Sequence, residues 1–288
     1  MPDSNDTNDE FTAFWNNVLV AKFERFRDIL QRGLSFHSDV PLRDLKLAPG
    51  AHALDVGCGW GDTAIELARI VGPTGRVLGI DCCEKFLGSG RQDARAAGVR
   101  NVELVAANVQ TYRFEREFDF CFSRFGTMFF ASPVAAMSNL RTALKPGAPV
   151  MFIVWRTLAD NAWLRLPKEI TLAHLPRPGD DAQSCGPGPF SMADPAVVTA
   201  QFDAAGFVDA KFERVDGPVR VGSTLDEAVA FQLAIGPAGE IVREAGKVGE
   251  ARRAEVEQAL KDALAPHLHD GAVVMASSSW TITARNPG

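Results

Sequence analysis

The sequence predicts an α/β fold, a Rossmann-like, doubly wound and mainly parallel sheet with helical additions at its N- and C-terminal ends. Three observations predict it. Short apolar runs alternate with amphipathic stretches between residues 50 and 156, a glycine-rich loop joins the first run to the first following helix, and an acidic residue ends the second run. Strand, helix, strand with short connections implies parallel strands joined by crossover helices. The 288 residues suit one such domain with embellishments better than two full domains.

Taken in order, residues 1–9 are polar and acidic and read as a disordered tail. Between residues 11 and 36 the apolar positions Phe14, Val18, Phe23, Phe26, Ile29, Leu30 and Leu34 recur at helical spacing, which predicts one or two amphipathic helices ending near Gly33. Residues 42–47 then carry the chain to the Pro49-Gly50 turn. Strands are predicted at 53–56, 77–80, 102–106, 118–123 and 150–155. Between them fall helices at 63–71, with Ile65, Leu67, Ala68 and Val71 inward, at 84–97, closed by Gly98, and at 133–144, stopped by Lys145-Pro146-Gly147. Beyond lie a helix at 163–174, a Pro/Gly-rich loop at 176–190, and a helix to Ala205 capped by Asp194 with Pro195 in its first turn. A strand at 206–215, helices at 225–233 and 241–264 and a last strand at 272–284 complete the chain. No repeat or inter-domain linker is evident.

Composition narrows the function classes. A net charge of -6 repels a phosphate backbone, so nucleic acid is not the expected partner. The five cysteines, Cys58, Cys82, Cys83, Cys121 and Cys185, form no CxxC pair and have no clustered histidines, so they read as reduced thiols rather than a metal site. The first ten residues lack the basic-then-apolar pattern of a signal peptide, and no apolar run reaches membrane-spanning length. A cytoplasmic protein without stable membrane insertion is expected.

The sharpest feature is the run Leu54-Asp55-Val56-Gly57-Cys58-Gly59-Trp60-Gly61 between the first strand and the next helix. Glycines there let backbone turn tightly and approach a ligand at the carboxyl edge of the sheet. A dinucleotide loop has the spacing G-x-G-x-x-G; here the third glycine comes one residue early, and Asp55 stands two residues before the first. A carboxylate at that place repels a pyrophosphate and suits a ligand with an ammonium group. S-adenosylmethionine carries an ammonium and a sulfonium and no phosphate, and is the expected cofactor. Asp81, at the tip of the second strand, can accept from both ribose hydroxyls, although it could instead cap the following helix. Asn108 can accept from the adenine amino group and the Val109 N–H can meet a ring nitrogen; an ordinary turn role for Asn108 stays open.

With these residues the chain resembles the class I S-adenosylmethionine-dependent methyltransferases, and within them the ubiquinone/menaquinone C-methyltransferase-like group. The resemblance rests on residues 54–61, 77–81, 102–109, 118–130 and 144–155. It implies that Asp55, Gly57, Cys58, Gly59 and Gly61 surround the methionine end, that Asp81 and Cys82 lie at the ribose and Asn108 and Val109 at the adenine, and that Ser123, beside Arg124, lies near the methionine moiety. Family members often carry Asp where this chain has Asn108. The implied organisation is one methyltransferase domain over 1–288, with an N-terminal helical lid at 10–48, a cofactor-binding core at 50–156, and substrate-side helices and last strands at 157–288. Methyl transfer to a small organic acceptor is the expected activity, with the C, O or N atom undetermined. An NAD-dependent oxidoreductase and a non-catalytic scaffold of the same fold are the alternatives.

The acceptor is expected to be small and apolar or aromatic, enclosed by the N-terminal helices, residues 157–190 and the helices between 225 and 264. A homodimer is compatible with this reading. No residue is assigned as catalytic. His37 and His174 fall in segments able to cover the cofactor, and either could be a base or simply structural. Arg124 could face an anionic group or form a surface ion pair. Phe11, Phe14, Trp15, Phe23 and Phe26, like Met128, Phe129 and Phe130, could line a pocket or pack the core.

Overall fold

The computed structural model describes residues 12–13, 15–115, 117–179 and 187–288. The expected tail at 1–9, Phe11, Phe14, Cys185 and part of the loop at 176–190 lie outside the described residues. Five parallel strands form one side of the sheet: β1 (His52–Val56), β2 (Arg76–Asp81), β3 (Val102–Ala106), β4 (Phe120–Arg124) and β5 (Pro149–Trp155). Of two further long strands, β6 (Val208–Gly222) and β8 (Ala272–Arg285), β8 pairs antiparallel with β5 and β6 antiparallel with β8, and the short β7 (Leu268–His269) also pairs with β8. The order is β3-β2-β1-β4-β5-β8-β6, the predicted Rossmann-like α/β arrangement.

Alternation along the central strands explains why the sheet is covered on both faces. Ala53, Phe120, Phe122 and Ile153 belong to one apolar core, together with Leu67, Ala68 and Val71 of α4 (Asp62–Val71). Their neighbours Leu54, Val56, Cys121, Phe152 and Val154 point into the larger opposite core. A strand with apolar side chains on both faces is the mark of a parallel strand between helix layers. The crossovers are α4, α5 (Glu84–Ala96) and α6 (Pro133–Ala143). Ile65 of α4 is buried, as its helical spacing predicts.

The N-terminal region is more finely divided than its periodicity suggests. A π-helical turn at Trp15–Leu19 leads into α1 (Val20–Arg25), α2 (Arg27–Gly33) and α3 (Phe36–Asp44). The expected connection at 42–47 is therefore partly helix, with Pro41 inside α3. Gly33 packs so tightly on β6 that an added Cβ would stand 2.4 Å from the Arg220 carbonyl oxygen.

Past β5 come α7 (Ala162–His174), α8 (Pro195–Ala205), α9 (Leu225–Ile235), α10 (Pro237–Glu244) and α11 (Gly246–Leu264). The Asp194 side chain accepts from the Ala196 N–H at 2.8 Å, the expected cap of α8. The helix expected at 241–264 is two helices, broken at Ala245 where Gly246 takes a φ of +52°. The strand expected to stop near Val215 runs on to Gly222 through Gly217-Pro218. Proline is tolerated there because β6 is the last strand of the sheet, with one neighbour only.

Candidate functional site

The site lies where β1 is flanked by β2 on one side and β4 on the other, the switch point at which crossovers diverge and a crevice opens at the carboxyl ends of the strands. A cavity of about 200 Å³ occupies that crevice. The glycine loop forms one wall. Gly57 has a φ of +65°, and a Cβ there would stand 2.8 Å from the Cα of Gly126, so the loops after β1 and β4 meet backbone to backbone. Gly59 has a φ of +53°, and among the described residues nothing lies within 4 Å of an added Cβ. Its lack of a side chain leaves room on the cavity side, as close approach of a ligand to backbone requires.

Of the residues expected from sequence, Gly57, Cys58, Gly59, Asp81, Cys82, Asn108 and Val109 line this cavity. Asp81 ties it together: its two carboxylate oxygens accept from the N–H groups of Gly59 at 2.9 Å and Cys83 at 2.8 Å. Burial pushes its carboxyl above the ordinary range, and these backbone donors oppose the shift. The helix N-cap is Cys83, not Asp81. Asn108 Oδ1 accepts from the Gln110 N–H at 3.0 Å, so the turn role is present as well as the cavity position. Burial raises the thiol of Cys82, which makes it a poor nucleophile at neutral pH.

Asp55, Gly61 and Ser123 stand behind the lining rather than on it. Asp55 is fully buried; its Oδ2 accepts from the Thr63 hydroxyl at 2.6 Å and its Oδ1 has no partner among the described residues. Burial raises its carboxyl to about 7, with Asp62 and Asp81 adding to the rise and Thr63 and Arg124 opposing it. Gly61, with a φ of +74°, is the residue from which α4 starts. The Ser123 hydroxyl donates to the Val56 carbonyl at 2.7 Å and joins the ends of β4 and β1.

The rest of the lining is largely aromatic and comes from three directions. Trp15, Phe23, Leu30 and Leu34 descend from the N-terminal helices, Trp60 and Phe86 flank the glycine loop, and Phe125, Phe129 and Phe130 follow β4. Trp15 meets Phe23 and Phe129 edge-on, with ring centroids 5.1 and 5.3 Å away. Of this set, Trp60 and Phe86 were not legible as site residues; one sits inside the glycine motif and the other reads as an ordinary inward position of α5. Phe26, by contrast, packs on Phe231 in the core at a centroid distance of 5.5 Å.

Charge inside the cavity is sparse. Arg124 reaches it, but its guanidinium donates to Asp62 Oδ2 at 2.5 Å and to the Ser38 hydroxyl at 3.2 Å, so it is an ion-paired wall group. Among the described residues no histidine lines the cavity. His37 is fully buried between the hydroxyls of Ser277 at 2.7 Å and Ser279 at 2.8 Å, and burial lowers it to about 4. With both ring nitrogens engaged it is a structural, neutral imidazole. His174 pairs with Glu255 at 2.9 Å, away from the cavity.

Comparison with known proteins agrees with this geometry. Residues 53–147 match a family described as a methyltransferase domain. A demethylmenaquinone methyltransferase of Geobacillus kaustophilus is 34% identical over 132 residues, which are 45% of this chain and 56% of that one. The chain thus spans about half the length of the curated relatives it matches. Among solved structures, the YcgJ protein of Bacillus subtilis aligns over 88% of this chain and 98% of its own, with a TM-score of 0.58 and 15% identity. A Haemonchus contortus phosphoethanolamine N-methyltransferase 2, in complex with phosphomonomethylethanolamine and S-adenosylhomocysteine, aligns over 96% of this chain and 59% of its own, with a TM-score of 0.56 and 15% identity. Over residues 53–147 this chain is therefore similar to a methyltransferase domain, carried on a Rossmann-like α/β fold.

Proposed function

We propose that this protein is an S-adenosylmethionine-dependent methyltransferase acting on a small, apolar, flat acceptor. The observation that carries the reading is the electrostatics of the glycine loop. Asp55, Asp62 and Asp81 gather around it, and the neighbouring cation, Arg124, is already paired with Asp62. A pyrophosphate has no reason to bind there, whereas a ligand bearing an ammonium and a sulfonium does. Asp55 Oδ1, without a partner among the described residues, and the room left at Gly59 fit the methionine end. Asp81 offers its carboxylate to the ribose, and Asn108 and Val109, also in the lining, are the residues for the adenine. Nothing in the structure or the comparisons favours the dinucleotide or scaffold alternatives.

The cofactor supplies a methyl group already activated on sulfur. The protein's part is alignment, and orientation alone is worth on the order of 7–11 kcal/mol. The aromatic remainder of the cavity would hold an acceptor by apolar contact and ring stacking. Demethylmenaquinone, in the name of the Geobacillus relative, is one member of that class. The test is transfer of labelled methyl from S-adenosylmethionine to a prenylated naphthoquinol, set beside transfer to phosphoethanolamine. Label in the quinol alone is the expected result. Label in phosphoethanolamine alone would overturn the acceptor class.

A further inference from the structure

The indole of Trp60 belongs to the glycine loop and yet is held by the N-terminal helices. Its Nε1–H donates to Glu24 Oε1 of α1 at 2.6 Å, and the Arg27 guanidinium of α2 lies over its ring, 5.5 Å from the centroid. Arg27 in turn pairs with Asp93 of α5. On its other side the indole packs on Phe86, with centroids 4.7 Å apart. The backbone of Trp60 is seated just as closely, since a Cβ on Gly90 of α5 would stand 2.2 Å from its carbonyl oxygen. The indole thus links the glycine loop directly to α1 and α2.

Those two helices carry Phe23 and Leu30, which wall the aromatic part of the cavity. They have six and seven residues, too short to be stable alone, so their position depends on what they touch. A π-helical turn precedes them, and the Asn16 side chain in that turn donates to the Cys82 carbonyl at 3.0 Å, a second tie to the cofactor side.

We infer that Trp60 is a positioning residue: through Glu24 and Arg27 it couples occupancy of the glycine loop to ordering of the acceptor wall formed by α1 and α2. The inference rests on the cofactor reading above. Filling the loop fixes the indole, the indole fixes Glu24 and Arg27, and the acceptor wall is complete only when the methyl donor is in place.

The experiment is hydrogen exchange of residues 15–33 with and without S-adenosylhomocysteine, in the full chain and in Trp60→Phe and Glu24→Ala. Glu24 does not line the cavity, so its substitution severs the tie from the far side. Ligand should slow exchange across 15–33 in the unaltered chain by roughly three- to tenfold, the worth of one hydrogen bond. In Glu24→Ala S-adenosylhomocysteine should still bind while this slowing disappears, and Trp60→Phe, held at saturating ligand, should lose the slowing as well. A merely structural Trp60 would raise exchange in the free protein and leave the ligand-dependent slowing intact, which would overturn the coupling. Slowing retained in Glu24→Ala overturns it even if Trp60→Phe fails to fold. An unaltered chain that binds no S-adenosylhomocysteine would instead overturn the cofactor reading.

Discussion

Asp81 holds the cavity together, because one carboxylate serves the glycine loop, the start of α5 and the proposed ribose position. Asp81→Ala should weaken S-adenosylhomocysteine binding by about 2–4 kcal/mol, since charged hydrogen bonds are lost both to ligand and to the loop that shapes its site. Calorimetric titration of the variant measures it, and unchanged affinity would place the ribose elsewhere. Asp55 makes a second, pH-dependent claim. Burial raises its carboxyl to about 7, and an ammonium ligand favours the ionised form. Affinity should therefore rise as the pH goes from 6 to 8, and Asp55→Asn should flatten that rise. His37 acts on stability instead. Its folded value of about 4 lies below the unfolded value of 6.5, so the unfolded chain binds more protons between them. Stability from this residue is full above pH 6.5 and is lost as the pH falls toward 4, on the order of 3 kcal/mol in all. Asp55, raised rather than lowered, works in the opposite direction over much the same range. The comparison that isolates His37 is thus unaltered protein against His37→Gln by denaturant unfolding at pH 5 and pH 7. A gap between the two proteins that does not change with pH would contradict the account.

At the scale of elements, α1 and α2 bring Phe23 and Leu30 over a cavity whose floor is built by the parallel strands. Phe23→Ala with Leu30→Ala should raise the acceptor KM about tenfold or more, by loss of apolar contact, with a much smaller effect on S-adenosylhomocysteine affinity. Steady-state kinetics with the naphthoquinol checks this, and an equal loss in both would show that the helices merely stabilise the fold. The same scale explains what was legible in the sequence. The five parallel strands and their crossovers were visible because central strands are apolar on both faces and the helices carry clean inward stripes, as at Leu67, Ala68 and Val71. Helix α3 was not, because Pro41 inside it breaks the expected pattern. The extension of β6 was hidden by Gly217-Pro218, which reads as a turn until the strand is known to be an edge. The glycine loop, Asp81 and Asn108 were legible because their chemistry depends on local spacing. The role of Trp60 was not, since Glu24 and Arg27 lie more than thirty positions earlier and only the fold brings them to its ring.

For the molecule as a whole, the sheet supplies a rigid edge for the cofactor, and the segments before β1 complete the cavity over it. The chain carries a net charge of -6, and no helix among the described residues is long and apolar enough to cross a membrane. The central claim is the identity of the ligand at the glycine loop. Isothermal titration of the full chain with S-adenosylhomocysteine, and separately with NAD, tests it most directly. Saturable one-to-one binding of S-adenosylhomocysteine and no heat with NAD are expected; binding of NAD, or of neither, would overturn the cofactor assignment.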